Sequence, residues 1–191
     1  MQSLIFRDVV PFSLLFVLLI GGAILADWAL HVLGLVWIGR YFGIVGTLLI
    51  LASFVYSLRK HHYLRRGSPK TLLLWHEYLA WLGSLMILIH GGIHFNALLP
   101  WYALIAMMVA VASGLTGKWL LHQSRRAMEI ERAELERSGV AAEQIEKQLF
   151  WDAIACELMT KWRSVHLPVT LLFALLAFFH ILTIFIFWRW R

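Results

Sequence analysis

Five long apolar runs decide what kind of protein this chain can form. They lie near residues 9–28, 41–58, 72–93, 100–121 and 165–188. Each is roughly 18 to 25 residues long, enough for a helix to cross about 30 Å of hydrocarbon. With 61% hydrophobic and only 15% charged residues, a chain of 191 residues cannot bury this apolar surface as a soluble globule. The sequence therefore predicts an all-α integral membrane protein with about five transmembrane helices.

The distribution of basic residues predicts how these helices are oriented. Thirteen of the seventeen Lys and Arg residues fall in two segments, 59–70 and 118–163. Short basic segments beside membrane spans remain in the cytoplasm. We therefore expect both segments and the N-terminus inside, and the C-terminus outside, in a cytoplasmic (inner) membrane of bacterial type. The net charge of +6 then faces anionic lipid and requires no nucleic-acid partner.

Three parts are expected along the chain. Residues 1–40 are interpreted as an uncleaved signal-anchor helix with its connection, and residues 41–191 as a four-helix bundle. Within the bundle, residues of about 123–163 predict a cytoplasmic helical hairpin between the fourth and fifth spans, broken at Ser138 and Gly139. Its candidate apolar face comprises Met128, Ile130, Leu135, Ile145, Leu149, Phe150 and Leu158. The single cysteine, Cys156, allows no disulfide within the chain and is expected to be a small buried or interfacial residue.

Four histidines lie inside these apolar runs at one repeated spacing. His76 and His90 are fourteen residues apart in the third span. His166 and His180 repeat that separation in the fifth. Fourteen residues return to within about 40° of the starting direction and rise roughly 21 Å, so each helix presents two imidazoles on one face. Because the two spans run in the same direction, their first histidines are level with each other, and so are their second histidines.

Paired imidazoles at two depths favour haem. An imidazole in hydrocarbon is costly unless its nitrogens are engaged, and haem iron accepts an axial imidazole from each side. We therefore predict two non-covalent b-type haems, the inner one held by His76 and His166 and the outer one by His90 and His180. A hydrogen bond to a neighbouring carbonyl is the alternative for any single histidine. A zinc or proton transporter is the alternative for the set, although its ligands would converge on one site. A plain membrane anchor is a third possibility.

The histidine pattern resembles the di-haem membrane cytochromes b. In the cytochrome b of quinol:cytochrome c oxidoreductases, two parallel helices separated by one antiparallel helix each carry a histidine pair of this spacing, within a four-helix bundle. The cytochrome b subunits of formate dehydrogenases, hydrogenases and nitrate reductases, and the ferric-reductase-like membrane domains, also use paired intramembrane histidines. The Pro-Glu-Trp-Tyr quinol motif of the first family is absent, because the Pro-Trp-Tyr at residues 100–102 lies in a different loop and lacks the acid.

The resemblance implies the membrane subunit of a respiratory oxidoreductase. Such a subunit transfers electrons between a quinone pool and protein redox partners. The expected partners are an iron–sulfur or flavin subunit on the cytoplasmic side, which the hairpin would dock, and a cytochrome c or another acceptor outside. A ferric-reductase-like conduit that delivers electrons outward is the closest alternative.

Other residues near the four histidines are candidates for supporting roles. His94, one turn beyond His90, is a candidate to replace it as ligand or to hydrogen-bond a haem propionate. The inner basic residues that could pair with propionates are Arg125, Arg126 and Arg163, with lipid phosphate as the alternative partner. Small residues expected beside a flat macrocycle are Gly83, Gly91, Gly114 and Gly117, with ordinary close helix packing as the alternative.

Overall fold

The chain folds into long helices, five of which are long and apolar enough to cross a membrane. The computed structural model describes residues 10–60, 67–93, 97–115 and 121–187. The helices in this part of the chain are α1 (Val10–Val32), α2 (Val36–Ser53), α3 (Val55–Lys60), α4 (Pro69–Ile93), α5 (Leu98–Leu115), α6 (Leu121–Arg137) and α7 (Ala142–Phe187). The predictions of an all-helical fold and of five helices able to cross a membrane are confirmed for the described residues. Such helices satisfy their own backbone hydrogen bonds in hydrocarbon.

Two glycines end helices by the same turn. Gly34 has φ 69° after α1, and Gly139 has φ 74° after α6. At the first turn, the Leu35 N–H donates to the Leu30 carbonyl. At the second, the Val140 N–H donates to the Leu135 carbonyl in the same way. These Schellman turns satisfy carbonyls left over at the helix ends and need a left-handed residue, which only glycine adopts without strain.

Helices α2 and α4 pack through a contact between two glycines. A Cβ atom on Gly46 would lie 2.8 Å from the Gly83 carbonyl oxygen, and a Cβ atom on Gly83 would lie 2.9 Å from the Gly46 carbonyl oxygen. Without side chains at these positions, the two backbones approach as closely as in small-residue contacts between membrane helices. The small size of Gly83 is therefore explained by close packing of α4 on α2.

A small core joins the α2–α4 pair to a second pair, α5 and α7. Ile50 of α2 is buried together with Met107 of α5 and Phe173 of α7. Ile87 and Leu88 of α4 pack against the same cluster. Four helices thus share one core, and a fifth, α1, packs on α4. In α1, Leu19 and Ala23 are buried one turn apart.

The polar hairpin is continuous with the last membrane span. Its break at Gly139 is confirmed, but α7 then runs unbroken from Ala142 to Phe187 and includes Pro168. We expected a separate helix there. Nothing before Pro168 breaks the helical pattern, and a proline within a membrane helix is tolerated when neighbouring groups satisfy the freed carbonyl.

Only part of the candidate apolar face of the hairpin is buried. Ile145 and Leu149 are buried, and Cys156 is buried on the same helix, as expected. The other positions named for that face include three that are more than half exposed, namely Ile130, Phe150 and Leu158. Helix α6 covers only one side of α7, because a two-helix hairpin cannot enclose the remaining faces of either helix.

The glycine contact between α2 and α4 can be tested with one added methyl group. We expect Gly83→Ala to destabilise the protein by about 1–3 kcal/mol relative to Gly21→Ala, because overpacking a tight contact forces backbone shifts. Gly21 is the matched control: it is helical, and a Cβ atom there meets nothing within 4 Å. Both variants gain the same helix propensity, so the difference isolates packing. Unfolding in detergent measures both, and equal stabilities would refute the close contact.

Candidate functional site between α4 and α7

The structure brings two of the predicted ligands face to face. The imidazole of His76 on α4 and that of His166 on α7 have ring centroids 6.4 Å apart, with their planes at 90°. Both side chains are half-buried. In the described part of the chain, α4 and α7 are not among the extensively packed helix pairs, since α4 packs mainly on α2 and α7 on α5. The two histidines therefore meet across the bundle from helices that do not pack closely on each other.

A helix end holds His76 in place. Its Nδ1 donates to the carbonyl oxygen of Ser53 at 3.1 Å. Ser53 is the last residue of α2, and the last carbonyls of a helix have no donor within it. Two other carbonyls of this turn are taken locally, that of Ile50 by the Ser53 hydroxyl and that of Leu51 by the Phe54 N–H. The end of α2 thus supplies an acceptor for the imidazole of α4.

His166 is held from the neighbouring helix α5. Its Nδ1 lies 3.0 Å from the Ala110 carbonyl oxygen and 2.9 Å from the Ser113 hydroxyl. Ser113 is fully buried, and its hydroxyl donates to that same carbonyl at 2.7 Å. A carbonyl only accepts, so Nδ1 of His166 carries the proton and the serine oxygen accepts from it. Gly114, predicted to stand beside the macrocycle, lies beside this ring, and a Cβ atom there would be 3.4 Å from Cε1.

His90 is seated on α2. Its Nδ1 donates to the Gly39 carbonyl oxygen at 3.1 Å. A Cβ atom on Gly43 would come within 2.8–2.9 Å of three imidazole atoms, so only glycine leaves room for the ring. His90 and His76 therefore use acceptors on one helix, Gly39 and Ser53, which are also fourteen residues apart.

The antiparallel register of α2 and α4 accounts for this match. His90 pairs with residue 39 and His76 with residue 53. Gly46 and Gly83, which touch, are the midpoints of those two intervals. One register between two helices therefore orients both imidazoles of α4 in the same manner.

The remaining predicted site residues lie at separate places in the structure or outside its described part. His180 is half-buried on α7, fourteen residues beyond His166. Arg126 is exposed, whereas Arg125 donates to the Thr160 hydroxyl at 2.9 Å and ties α6 to α7. A Cβ atom on Gly91 would lie 2.7 Å from Leu104 Cδ1, so this glycine serves the α4–α5 contact. Residues or side chains outside the described part of the structure are His94, Gly117 and the side chain of Arg163.

Several residues around the imidazoles were missed in the sequence. Tyr56 of α3 lies against His76, with ring centroids 5.6 Å apart and planes at 33°. The carbonyl acceptors at Gly39, Ser53 and Ala110 carry no side-chain signature, although the fourteen-residue interval between the first two repeats that of the histidines. Ser113 is a polar residue in an apolar span and could have been singled out for that reason.

Hydrogen bonding determines which nitrogen of each imidazole is free to bind a metal. Carbonyl bonds place the proton of three imidazoles, those of His76, His90 and His166, on Nδ1, so Nε2 carries the lone pair. A metal-binding histidine typically has this second hydrogen bond. Among the described residues, no three His, Cys, Asp or Glu side chains converge to hold an ion. The site around His76 and His166 can thus offer a metal two nitrogens.

In comparisons with known proteins, no family model, curated protein or solved structure matches the chain.

Ser113 offers a test of how His166 is held, with Ser53 as a matched control. Both serines are buried and both hydroxyls donate to the carbonyl three residues earlier at 2.7 Å. Only the Ser113 hydroxyl also contacts an imidazole. We expect Ser113→Ala to lower the free energy of unfolding by about 0.5–1.5 kcal/mol more than Ser53→Ala, the worth of one hydrogen bond. Denaturant unfolding in detergent measures the difference, and equal losses would contradict the contact.

Proposed function

We propose that the chain is a membrane cytochrome b that transfers electrons across the membrane through two b-type haems. The observation that carries this proposal is the meeting of His76 and His166 from two separate helices, each with Nδ1 bonded to a main-chain carbonyl. In this proposal, His90 and His180 hold the second haem. A rise of 1.5 Å per residue puts the two levels roughly 21 Å apart.

The separation of the two rings supports a metal between them. Two imidazoles that bind one metal from opposite sides, each at about 2 Å, have ring centroids roughly 6 Å apart. The observed distance between centroids is 6.4 Å. Perpendicular ring planes are compatible with such binding, because each ring can turn about its own metal–nitrogen bond. This spacing supports a haem iron as the bound group, which His76 and His166 would hold through their Nε2 atoms.

The number of ligands favours haem over a bare ion. A structural zinc site takes four protein ligands and a catalytic one three, whereas haem iron needs protein ligands only at its two axial positions. The site offers the two imidazoles of His76 and His166, and no described group of three or more potential ligands exists. Two imidazoles facing each other from separate helices therefore support a haem protein rather than a zinc site.

In this mechanism, the chain's own residues set the position of each imidazole and the basicity of its Nε2. A bound haem would supply a one-electron carrier at each level. The carbonyls of Ser53, Gly39 and Ala110 hold three of the rings in one tautomer and raise their electron density by accepting a hydrogen bond from Nδ1–H. Tyr56 and Ser113 complete the packing around the inner pair.

The proposed route connects a quinone pool with protein redox partners. The first half of α7, which the proposal places on the cytoplasmic side, presents the exposed apolar side chains of Phe150, Trp151 and Leu158 beyond the apolar span. These suit the docking of an iron–sulfur or flavin subunit, because exposed aromatic residues are enriched in protein interfaces. A cytochrome c or another acceptor would meet the outer level. The proposed orientation, N-terminus inside, follows from the basic segments.

Haem content is the direct test of this function. We expect two haems b per chain from the pyridine haemochrome and the reduced minus oxidised visible spectrum of protein purified in mild detergent. His76→Ala and His166→Ala should each lose the same haem, and His90→Ala and His180→Ala should each lose the other. Each variant would remove one of the two imidazoles that hold a haem.

His61→Ala, in the basic segment, is the control and should keep both haems. Protein that stays colourless when expressed with ample haem would refute the function, and so would haem loss that does not follow these pairs.

Gly43 offers a second test, which leaves every histidine in place. We expect Gly43→Ala to weaken the outer haem by roughly tenfold, because its Cβ would lie 2.8–2.9 Å from the His90 ring and the overpacking costs about 1–3 kcal/mol. Gly21→Ala adds the same methyl group in open space and should change nothing. Haem titration followed at the Soret band gives both affinities. An unchanged outer haem in Gly43→Ala would show that His90 is not its ligand.

A further inference from the structure

One side of α7 carries a row of exposed apolar residues that recurs every seven residues. The members of this row, which we call the α7 stripe, are Trp151, Leu158, Val165, Leu172 and Phe179. A seven-residue apolar repeat keeps its residues on one side of a helix that supercoils around a partner. In the described part of the chain, α7 packs mainly on α5 and α6, and neither helix buries the stripe. The stripe therefore offers a long apolar surface that is free of contacts with its own bundle.

Helix α1 does not cover the stripe, because it packs elsewhere. Its main neighbours are α4 and α2. At the contact with α4, Asp27 lies against Gly92, where a Cβ atom would be 3.1 Å from the carboxyl carbon. Since α4 and α7 are not among the extensively packed helix pairs, a helix seated on α4 leaves this side of α7 open.

The stripe extends through two environments. Val165 begins the apolar run of α7, so the stripe from there onwards lies in hydrocarbon. Trp151 and Leu158 come before it, in the charged part of the helix, and are 68% and 60% exposed. At 1.5 Å per residue, Trp151 lies roughly 21 Å before Val165, beyond the reach of lipid chains. A soluble protein cannot reach the part in hydrocarbon, so only a helix that itself continues from the membrane into water covers the whole stripe.

A groove on the stripe has the spacing of the hole in a coiled coil. Its lining includes Leu158, Lys161, Trp162 and Val165, with Met159 beside them. The first four residues stand at positions i, i+3, i+4 and i+7, which are the four that surround one side chain of a facing helix. With Leu158 and Val165 as d positions of the heptad, Trp162 is an a position. In a parallel pair of identical helices, the side chain that enters this hole is Trp162 of the other helix.

The charges beside the groove permit two identical helices to meet. Lys161 occupies a g position, at the flank of the seam, where charged side chains are common. Its Nζ lies 2.7 Å from Oε1 of Glu157 on the same helix. Each helix therefore brings a neutralised ion pair to the groove instead of a bare cation, and two copies do not repel each other there.

We propose that a second copy of this chain occupies the α7 stripe, so that two α7 helices pair in parallel from the membrane into the water outside it. Copies in one membrane share one orientation, and a two-fold axis along the membrane normal brings each stripe onto the same stripe of the other copy. Leu158 then faces Leu158 of the second copy, and Trp162 of each copy enters the groove of the other. The pairing needs no haem and goes beyond the proposed function.

The dimer also restricts where a redox subunit can bind. It covers Trp151 and Leu158, whereas Phe150 lies about 100° round the helix from Trp151. Phe150 and Ile130 of α6 are both exposed and remain available. In the dimer, the redox subunit would therefore meet the side of the hairpin that faces away from the two-fold axis.

Disulfide trapping in membranes of the expressing cells tests the pairing. The native thiol is removed by Cys156→Ala, so that Leu158→Cys supplies the only cysteine, and copper phenanthroline is the oxidant. We expect a covalent dimer of twice the chain mass, because facing d positions bring the two Cα atoms within the about 4–7 Å that a disulfide needs. Phe150→Cys in the same background is the matched control. It is exposed on the same helix but off the stripe, and it should remain monomeric.

Added charge on the stripe tests the same contact by mass. Light scattering after gel filtration in mild detergent should give the wild type the protein mass of a dimer. Leu158→Glu should weaken self-association at least about tenfold, because it places two carboxylates against each other across the axis. Phe150→Glu adds the same charge off the stripe and should stay dimeric. Both positions are more than half exposed, so circular dichroism should show unchanged helix content in both variants.

Three results would overturn the proposal. The first is a wild type that is monomeric in detergent together with no trapping at position 158 in membranes. The second is equal trapping at positions 150 and 158, or equal loss of dimer in the two glutamate variants, because the contact would then not follow the stripe. The third is a trapped product whose mass differs from twice that of the chain, which would place another protein on the stripe.

Discussion

The close approach of α2 and α4 at Gly46 and Gly83 is the contact on which the candidate site depends. Because neither residue has a side chain, the backbones touch. The same register places the carbonyls of residues 39 and 53 within hydrogen-bond distance of His90 and His76. In a membrane, helices gain little from burying apolar side chains against each other, so backbone proximity and hydrogen bonds have to determine the register. A larger residue at either glycine would push the two helices apart and break both histidine–carbonyl hydrogen bonds.

The second constraint is the cost of an imidazole in hydrocarbon. Each of three histidines satisfies it by donating its Nδ1 proton to a main-chain oxygen of a neighbouring helix. Those bonds engage one of the two nitrogens of each ring, Nδ1, and leave the lone pair on the other, Nε2. The same hydrogen bonds therefore compensate for burial of the rings and leave Nε2 as their acceptor nitrogen. The long helix α7 extends beyond the apolar span, since His166 belongs to the same helix as the exposed Phe150 and Trp151.

The elements that could be predicted from the sequence are those whose signal is local. The apolar runs predicted the five membrane-spanning helices, and Gly139 predicted the hairpin turn, because hydropathy and a left-handed glycine act within a few residues. Sequence reasoning failed where the signal was absent or indirect. It separated the hairpin from the last span, although α7 is continuous, and it did not distinguish the exposed members of the hairpin's apolar face, Phe150 and Leu158, from the buried ones. Tyr56, the carbonyl of Ser53 and the seat of Asp27 at Gly92 were not found, since each depends on which helices are neighbours.

The sequence by itself determined a multi-pass helical protein with two imidazoles on one face of each of two helices. Length, composition and a rise of 1.5 Å per residue are sufficient for that, whatever the helices pack against. Only the tertiary structure decided that the ring centroids of His76 and His166 lie 6.4 Å apart, that a glycine makes room for His90, and that Asp27 lies against Gly92. Those outcomes depend on the angle and register of packed helices, which arise from contacts between residues far apart in the chain.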